Sequence, residues 1–160
     1  MIANKGGYPM KVRELMTVDP AACTPKGNCA VAGKIMREHN CGIVPVVDNH
    51  QARKIVGVIT GRDLALCLSQ EPLPAAQVPV SACMTREVKT ISPDLSVEEA
   101  VELMELAAIH RLPVAEDEKL VGILSLKDIA LYAKQIQGSV DERTVERELA
   151  EIVEAIALAR

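Results

Sequence analysis

Phenylalanine and tryptophan are absent from this 160-residue chain, and Tyr8 and Tyr132 are its only aromatics. Its core must be built from Val, Ile, Leu, Ala and Met, and a planar ligand has to lie between aliphatic side chains instead of stacking on rings. A basic field is also missing. The formal net charge is −4, and residues 139–160 hold six acids against three arginines, so most of the excess sits at that end. Nucleic acid needs clustered cations or aromatic platforms, and is excluded as a partner. No apolar run approaches the ~20 residues of a membrane span. The start, MIANKGGYPM, lacks the charged segment and apolar run of a secretory leader. The expectation is a soluble, cytoplasmic protein with no membrane partner.

Metal and catalytic patterns are missing too. Five cysteines (Cys23, Cys29, Cys41, Cys67, Cys83) are odd in number and contain no C-x-x-C, and the three histidines do not fall at metal-ligand spacing from them. Burial as small apolar residues in a reducing compartment is the expected use of these thiols, with redox sensing through an exposed one such as Cys41 as the alternative. There is no Ser-His-Asp set, no carboxylate pair with an evident role and no phosphate-loop lysine, so no enzyme and no required cofactor is expected.

What the chain does have is an internal repeat. GVITGRDLAL (57–66) returns as GILSLKDIAL (122–131), with four of ten positions identical. Met16-Thr17 matches Met84-Thr85, Pro25 matches Pro93, Ala32 matches Ala100, Met36 matches Met104, and Pro45-Val46 matches Pro113-Val114, each sixty-eight residues apart. The closing motif is offset by only sixty-five, because DNHQARK in the first copy is longer than EDEK in the second. Such a difference belongs in a surface turn between two strands.

Each copy reads as strand, helix, strand, strand, helix. In the second, VKTI is a short strand and Ser96-x-x-Glu99 is a capping box. The box opens a helix with Val97, Ala100, Val101, Met104 and Ala108 on one face. LPVA and LVGIL follow as strands, and Ser125 starts the last helix. In the first copy Asn28 is the N-cap of a helix that carries Gly33, at about 1 kcal/mol against Ala, which a close helix–helix or backbone approach would explain. Met16, Met36, Met84 and Met104 recur with the repeat and fill core gaps, while Glu98, Glu99 and Glu102 read as a solvated face.

The expected boundaries are an N-terminal arm over 1–11, the first repeat over 12–70, a proline-broken linker over 71–79, the second repeat over 80–136, and an amphipathic helix over 137–160. Neither half is large enough to stand alone. The fold class expected is α/β, of the α+β kind, with the two repeats packed sheet to sheet about a pseudo-twofold axis. The apolar stripe of the last helix must cover its own core or a neighbouring subunit.

The repeated T/S-x-x-D admits two readings. Thr60 and Asp63, or Ser125 and Asp128, can cap a helix reciprocally, which is worth roughly 0.5–2 kcal/mol. The same groups can also hold a ligand. Gly57 and Gly122 stand three residues before the hydroxyl, where bare backbone would let a ligand approach. The corner is a helix N-terminus, whose free amides favour phosphate, and a short Asp carboxylate suits a ribose diol. Both readings can hold at once.

These residues carry a family resemblance. LMT…P…GIVPVVD…GVITGRD followed by CMT…SPD…HRLPVA…GILSLKD resembles a CBS-domain pair, the regulatory module named after cystathionine β-synthase, from about Val12 to Ala133. The resemblance implies an adenosine-type ligand (AMP, ADP, ATP, S-adenosylmethionine or NAD) in clefts between the repeats. Thr60 would meet phosphate or ribose, Asp63 the ribose hydroxyls, and Ile43, Val44 and Pro45 would line the adenine. Ser125 and Asp128 would do the same in the second repeat, with Leu112 and Pro113 at the matching strand. In related modules, basic residues before the L-P-V strand of one repeat reach the phosphate held by the other; His110 and Arg111 occupy that place, whereas the first repeat has Gly42 and Ile43 there. A homodimer and an unknown effector protein are the implied partners. A ligand-free dimeric scaffold, in which T-x-x-D only caps helices, is the rival.

Overall fold

The computed structural model describes residues 9–136, with side chains as far as Tyr132. Residues 1–8 of the N-terminal arm and the expected helix over 137–160 lie outside them. The elements are α1 (Val12–Leu15), β1 (Thr17–Val18), α2 (Cys29–Glu38), β2 (Ile43–Val47), β3 (Ile55–Thr60), α3 (Gly61–Leu68), α4 (Val80–Cys83), α5 (Val97–Leu106), β4 (Arg111–Glu116), β5 (Lys119–Ser125) and α6 (Leu126–Ile136).

These elements form two compact units that do not coincide with the two repeats. One comprises Asp19–Val88 with Ala115–Leu120 and is called here the Thr60 unit; the other holds the described residues up to Val18, Lys89–Val114 and those from Val121 onward, and is called the Ser125 unit. Each repeat therefore gives its opening Met-Thr segment to the other repeat's unit.

In the Thr60 unit, β2 and β3 pair antiparallel with Ile43 opposite Thr60 and Pro45 opposite Val58, and an irregularity follows Val46. Apolar residues on both faces of β2 leave Val44, Val46 and Val47 fully buried. The connecting DNHQARK segment is the expected surface turn. Asp48 Oδ1 accepts from the Asn49 and Lys54 amides at 2.7 and 2.9 Å, and Asn49 Oδ1 from those of Gln51 and Ala52 at 3.0 and 2.7 Å. Helix α2 begins where Asn28 Oδ1 accepts from the Val31 amide at 3.0 Å. It ends at Asn40, whose φ of 47° turns the chain out of the helix. Its Cys29 and Ala32 face a core shared with Ile59, Leu64 and Val80.

The 71–79 segment is anchored to the unit. Val78 is 1% exposed, and its carbonyl accepts from the Cys29 amide at 2.9 Å. The short helix α4 that follows was not foreseen. The β4–β5 tip also belongs here. Leu120 is buried with Ala22 and Val47, and the Ile55 amide donates to the Glu118 carbonyl at 3.1 Å.

In the Ser125 unit the sheet order is β1-β5-β4, with Thr17 opposite Ile123 and Val18 opposite Gly122. The two-residue turn joining β4 to β5, at the tip assigned to the Thr60 unit, places Asp117 and Glu118 at φ 48° and 63°, as a tight hairpin turn demands. The Ser96–Glu99 box is formed, with the Ser96 amide donating to Glu99 Oε2 at 2.7 Å and the Glu99 amide to Ser96 Oγ at 3.2 Å. The Ser96 amide, with the Ser96 hydroxyl donating to the same Oε2 at 2.9 Å, holds the Glu99 carboxyl below the usual range. Val97, Ala100 and Met104 pack into a core with Leu112, Leu124 and Ile129. Ala108 does not continue that face: the helix stops at Leu106, and Ala108 takes φ 51°, the counterpart of Asn40.

Two further expectations are corrected. VKTI is not a strand; Ile91 makes one isolated parallel bridge to Val114, as Cys23 does to Val46 in the first repeat. The prolines and turns around each segment leave too little extended chain for a ladder. Glu98 is half-buried and so does not belong to a solvated face, whereas Glu99 and Glu102 are exposed.

Candidate functional site

Each T/S-x-x-D stretch forms a corner where a strand becomes a helix. At the first, β3 ends at Thr60 in extended conformation and α3 starts at Gly61. The Thr60 amide and hydroxyl donate to Asp63 Oδ2 at 2.8 and 2.7 Å, and the Asp63 amide donates to Thr60 Oγ1 at 3.1 Å. At the second, the Ser125 amide and hydroxyl donate to Asp128 Oδ2 at 3.0 and 2.6 Å, and the Asp128 amide to Ser125 Oγ at 3.2 Å. The capping reading is therefore satisfied in full.

Capacity remains beside it. Among the described residues, Oδ1 of Asp63 and of Asp128 takes part in none of these bonds, and all four residues are half-buried. A carboxylate with one oxygen fixed by the protein and the other unused can accept from a hydroxyl or a diol without rearranging. The Ser96–Glu99 box has the same bonds, but its carboxylate residue, Glu99, is exposed. T/S-x-x-D thus caps by nature, and its half-buried, doubled placement is what singles out the two corners.

Two supports of the ligand reading change on inspection. The bare backbone at Gly57 and Gly122 makes room for protein. A Cβ at Gly57 would lie 2.9 Å from the Thr85 carbonyl oxygen and 3.1 Å from Met84 Sδ, and one at Gly122 would strike Met16 Sδ and stand 3.1 Å from the Thr17 carbonyl oxygen. The exchanged Met-Thr segments lie directly over the two glycines. The helix amides are also partly spoken for. Gly61 donates to the Gly42 carbonyl at 3.2 Å and Leu126 to the His110 carbonyl at 3.0 Å, while the Asp63 and Asp128 amides serve the caps. Free amides for phosphate are fewer than a bare helix end would offer.

Ile43, Val44 and Pro45 share a unit with Thr60 and Asp63, with Ile43 directly opposite Thr60. Val44 is fully buried and Pro45 buried, so both side chains serve the core, and only Ile43 is partly open. In the other unit, Leu112 and Pro113 are likewise buried, while His110 and Arg111 are half-buried in the unit that holds Ser125 and Asp128. His110 Nε2 is buried and has no hydrogen-bond partner among the described residues.

The cysteines depart most from expectation. Cys67, in the last turn of α3, and Cys83, at the end of α4, form a disulfide with Cα atoms 5.5 Å apart. The reading of both as buried free thiols is corrected. They lie sixteen positions apart in the sequence with proline-rich chain between them, and only the return of α4 onto α3 brings them together. Cys23 and Cys29 are buried free thiols, and Cys41 is half-buried. Burial pushes the Cys23 thiol up to about 11. No group of metal ligands is found among the described residues, and no described helix is long and apolar enough to cross a membrane.

The family model for the CBS domain matches residues 12–70 and 80–134. The chain is 35% identical over 120 residues to the CBS domain-containing protein YhcV of Bacillus subtilis, covering 75% of this chain and 83% of that one. It is similar in structure to the CBS domain pair of protein MJ0100 in complex with 5′-methylthioadenosine and S-adenosyl-L-methionine, with a TM-score of 0.69 and 29% identity over 80% of this chain and 99% of that chain. It is also similar to CBSX2 in complex with AMP, with a TM-score of 0.69 and 25% identity over 80% and 98% of the two chains.

Proposed function

The chain belongs to the CBS-domain family, and we propose that it is a regulatory module that binds an adenosine-type ligand at its two strand-to-helix corners. The observation that carries this reading is the doubled corner: a hydroxyl and a carboxylate locked together at 2.7 Å in one unit and 2.6 Å in the other, each with a carboxylate oxygen to spare. The relatives bound to S-adenosylmethionine, methylthioadenosine and AMP support the ligand class. The scarcity of aromatic side chains, two tyrosines in all, also fits adenine held between aliphatic groups, Ile43 among them.

In this reading Asp63 and Asp128 accept from ribose hydroxyls, and Thr60 and Ser125 direct the carboxylates. Arg111 and His110, both in the Ser125 unit, are the cations suited to a ligand phosphate, on the pattern that the family resemblance implies. The module is no enzyme and requires no cofactor. It acts by shifting an equilibrium between packings that an effector protein reads. A cytoplasmic homodimer formed through helices fits Leu66 on α3, Leu106 on α5 and Leu131 on α6, which are 56%, 88% and 50% exposed.

A thermal-unfolding panel of AMP, ADP, ATP, NAD and S-adenosylmethionine, read with a dye because tryptophan is absent, tests the proposal. A ligand at a hundred times its Kd adds about 2.7 kcal/mol by mass action. A shift abolished by Asp63→Ala or Asp128→Ala supports it. No shift with any member leaves the corners as helix caps and favours the scaffold.

A further inference from the structure

Three sulfurs meet in the Thr60 unit. Cys83 is bonded to Cys67, and the Cys29 Sγ, at the first residue of α2, lies 3.4 Å from the Cys83 Sγ. Reacting atoms about 3–3.5 Å apart are at the threshold of attack. A thiolate displaces one sulfur of a disulfide by approaching the other. Cys29 stands at the sulfur that α2 and α3 would share.

We propose that Cys29, Cys83 and Cys67 form an internal thiol–disulfide exchange relay. Cys29 gives up its proton and attacks Cys83. The Cys29–Cys83 bond forms as the Cys67–Cys83 bond breaks, and Cys67 leaves as a thiolate that takes up a proton. The oxidation state of the three sulfurs together is unchanged, so the step consumes neither oxidant nor reductant. Its effect is mechanical: α4 passes from α3 to α2, and the end of α3 is released. Cys29 is 1% exposed whereas Cys67 and Cys83 are half-buried, so exchange presents a thiol at Cys67 in place of one sealed at Cys29. Burial, reinforced by Glu71, raises the pKa of the Cys29 thiol and so disfavours its thiolate.

The relay adjoins the candidate site. Helix α3 is capped by Thr60 at one end and carries Cys67 at the other. Beyond Cys83, Met84 covers Gly57, and Thr85 exchanges backbone bonds of 2.9 and 2.8 Å with Val58, two residues before Thr60. The disulfide thus ties together the two segments that flank the corner, and its state sets the corner's affinity for ligand. That last part rests on the ligand reading above.

The test is disulfide mapping. Full-length protein equilibrated in glutathione redox buffer near pH 8 is quenched in acid, alkylated and mapped by mass spectrometry. Wild type is expected to yield both Cys67–Cys83 and Cys29–Cys83 peptides. Cys67→Ser should give Cys29–Cys83 as its main disulfide, and Cys29→Ser should lose that species. A wild-type map with only Cys67–Cys83 at every buffer ratio overturns the relay, whether or not Cys67→Ser folds. A separate arm titrates AMP into oxidised and fully reduced wild type. A several-fold difference in Kd supports the coupling, and equal Kd overturns it. AMP binding to neither form defeats the ligand reading, while the map still decides the relay.

Discussion

Met84 occupies the space that a side chain at Gly57 would need, with its sulfur 3.1 Å from the ideal Cβ position and the Thr85 carbonyl oxygen at 2.9 Å. The second-repeat Met-Thr segment is thereby keyed to the first repeat's strand. Gly57→Ala forces backbone to move, and is expected to destabilise by about 1–3 kcal/mol. Truncating Met84 does not rescue it, because the carbonyl remains. At Gly122 the main obstacle is the flexible Met16 side chain, so Met16→Ala should partly restore Gly122→Ala. Denaturant unfolding of the four variants distinguishes the two cases.

Gly33 has no such neighbour. Its ideal Cβ position is 3.9 Å from Leu64 Cδ1, an ordinary contact. Helix α3 therefore approaches α2 at this point through Leu64, but no backbone does and a methyl has room, so Gly33→Ala should fit and raise stability by about 1 kcal/mol through helix propensity. A lower denaturation midpoint would contradict this.

Ala108 sits at φ 51° where its counterpart Asn40 sits at 47°. For alanine that conformation costs roughly 1–2 kcal/mol, and glycine's greater freedom in the unfolded chain offsets part of the relief. Ala108→Gly should therefore stabilise by about 0.5 kcal/mol, and Asn40→Ala should destabilise. Thermal unfolding of the two variants reads both signs.

If Arg111 serves a ligand phosphate, as the family resemblance implies, Arg111→Ala should weaken AMP about ten- to hundredfold, the worth of one charged hydrogen bond, and leave adenosine affinity nearly unchanged. Asp63→Ala should remove the tighter AMP site and Asp128→Ala the weaker one. Equal AMP affinity at both sites, measured by calorimetric titration, would overturn the asymmetry.

Thiol labelling should follow burial. With the disulfide intact at pH 8, iodoacetamide should modify Cys41 first. Cys23, 2% exposed with its thiol pushed up to about 11, should resist until unfolding. Rapid labelling of Cys23 in folded protein would contradict the core placement.

Much of this was legible from the sequence. The Asn28 and Ser96 caps, the paired strands around DNHQARK and EDEK, the recurring core methionines and both hydroxyl–carboxylate corners follow from contacts a few residues apart, and such contacts leave their signature in spacing. The repeat supplied an internal check, since every such signature appears twice.

The tertiary structure alone decided which distant pieces meet. Nothing in LMT or CMT says that each lies over the glycine of the other repeat, because that exchange is a matter of chain path and leaves both local patterns intact. The glycines looked open for a ligand for the same reason: a missing side chain records that something comes close without saying what. Cys67 and Cys83 share no motif, and their bond exists because α4 folds back on α3. Short-range patterns fix caps, turns and strand faces through local sterics and hydrogen bonds, whereas long-range adjacency is set by how whole elements bury their apolar faces together.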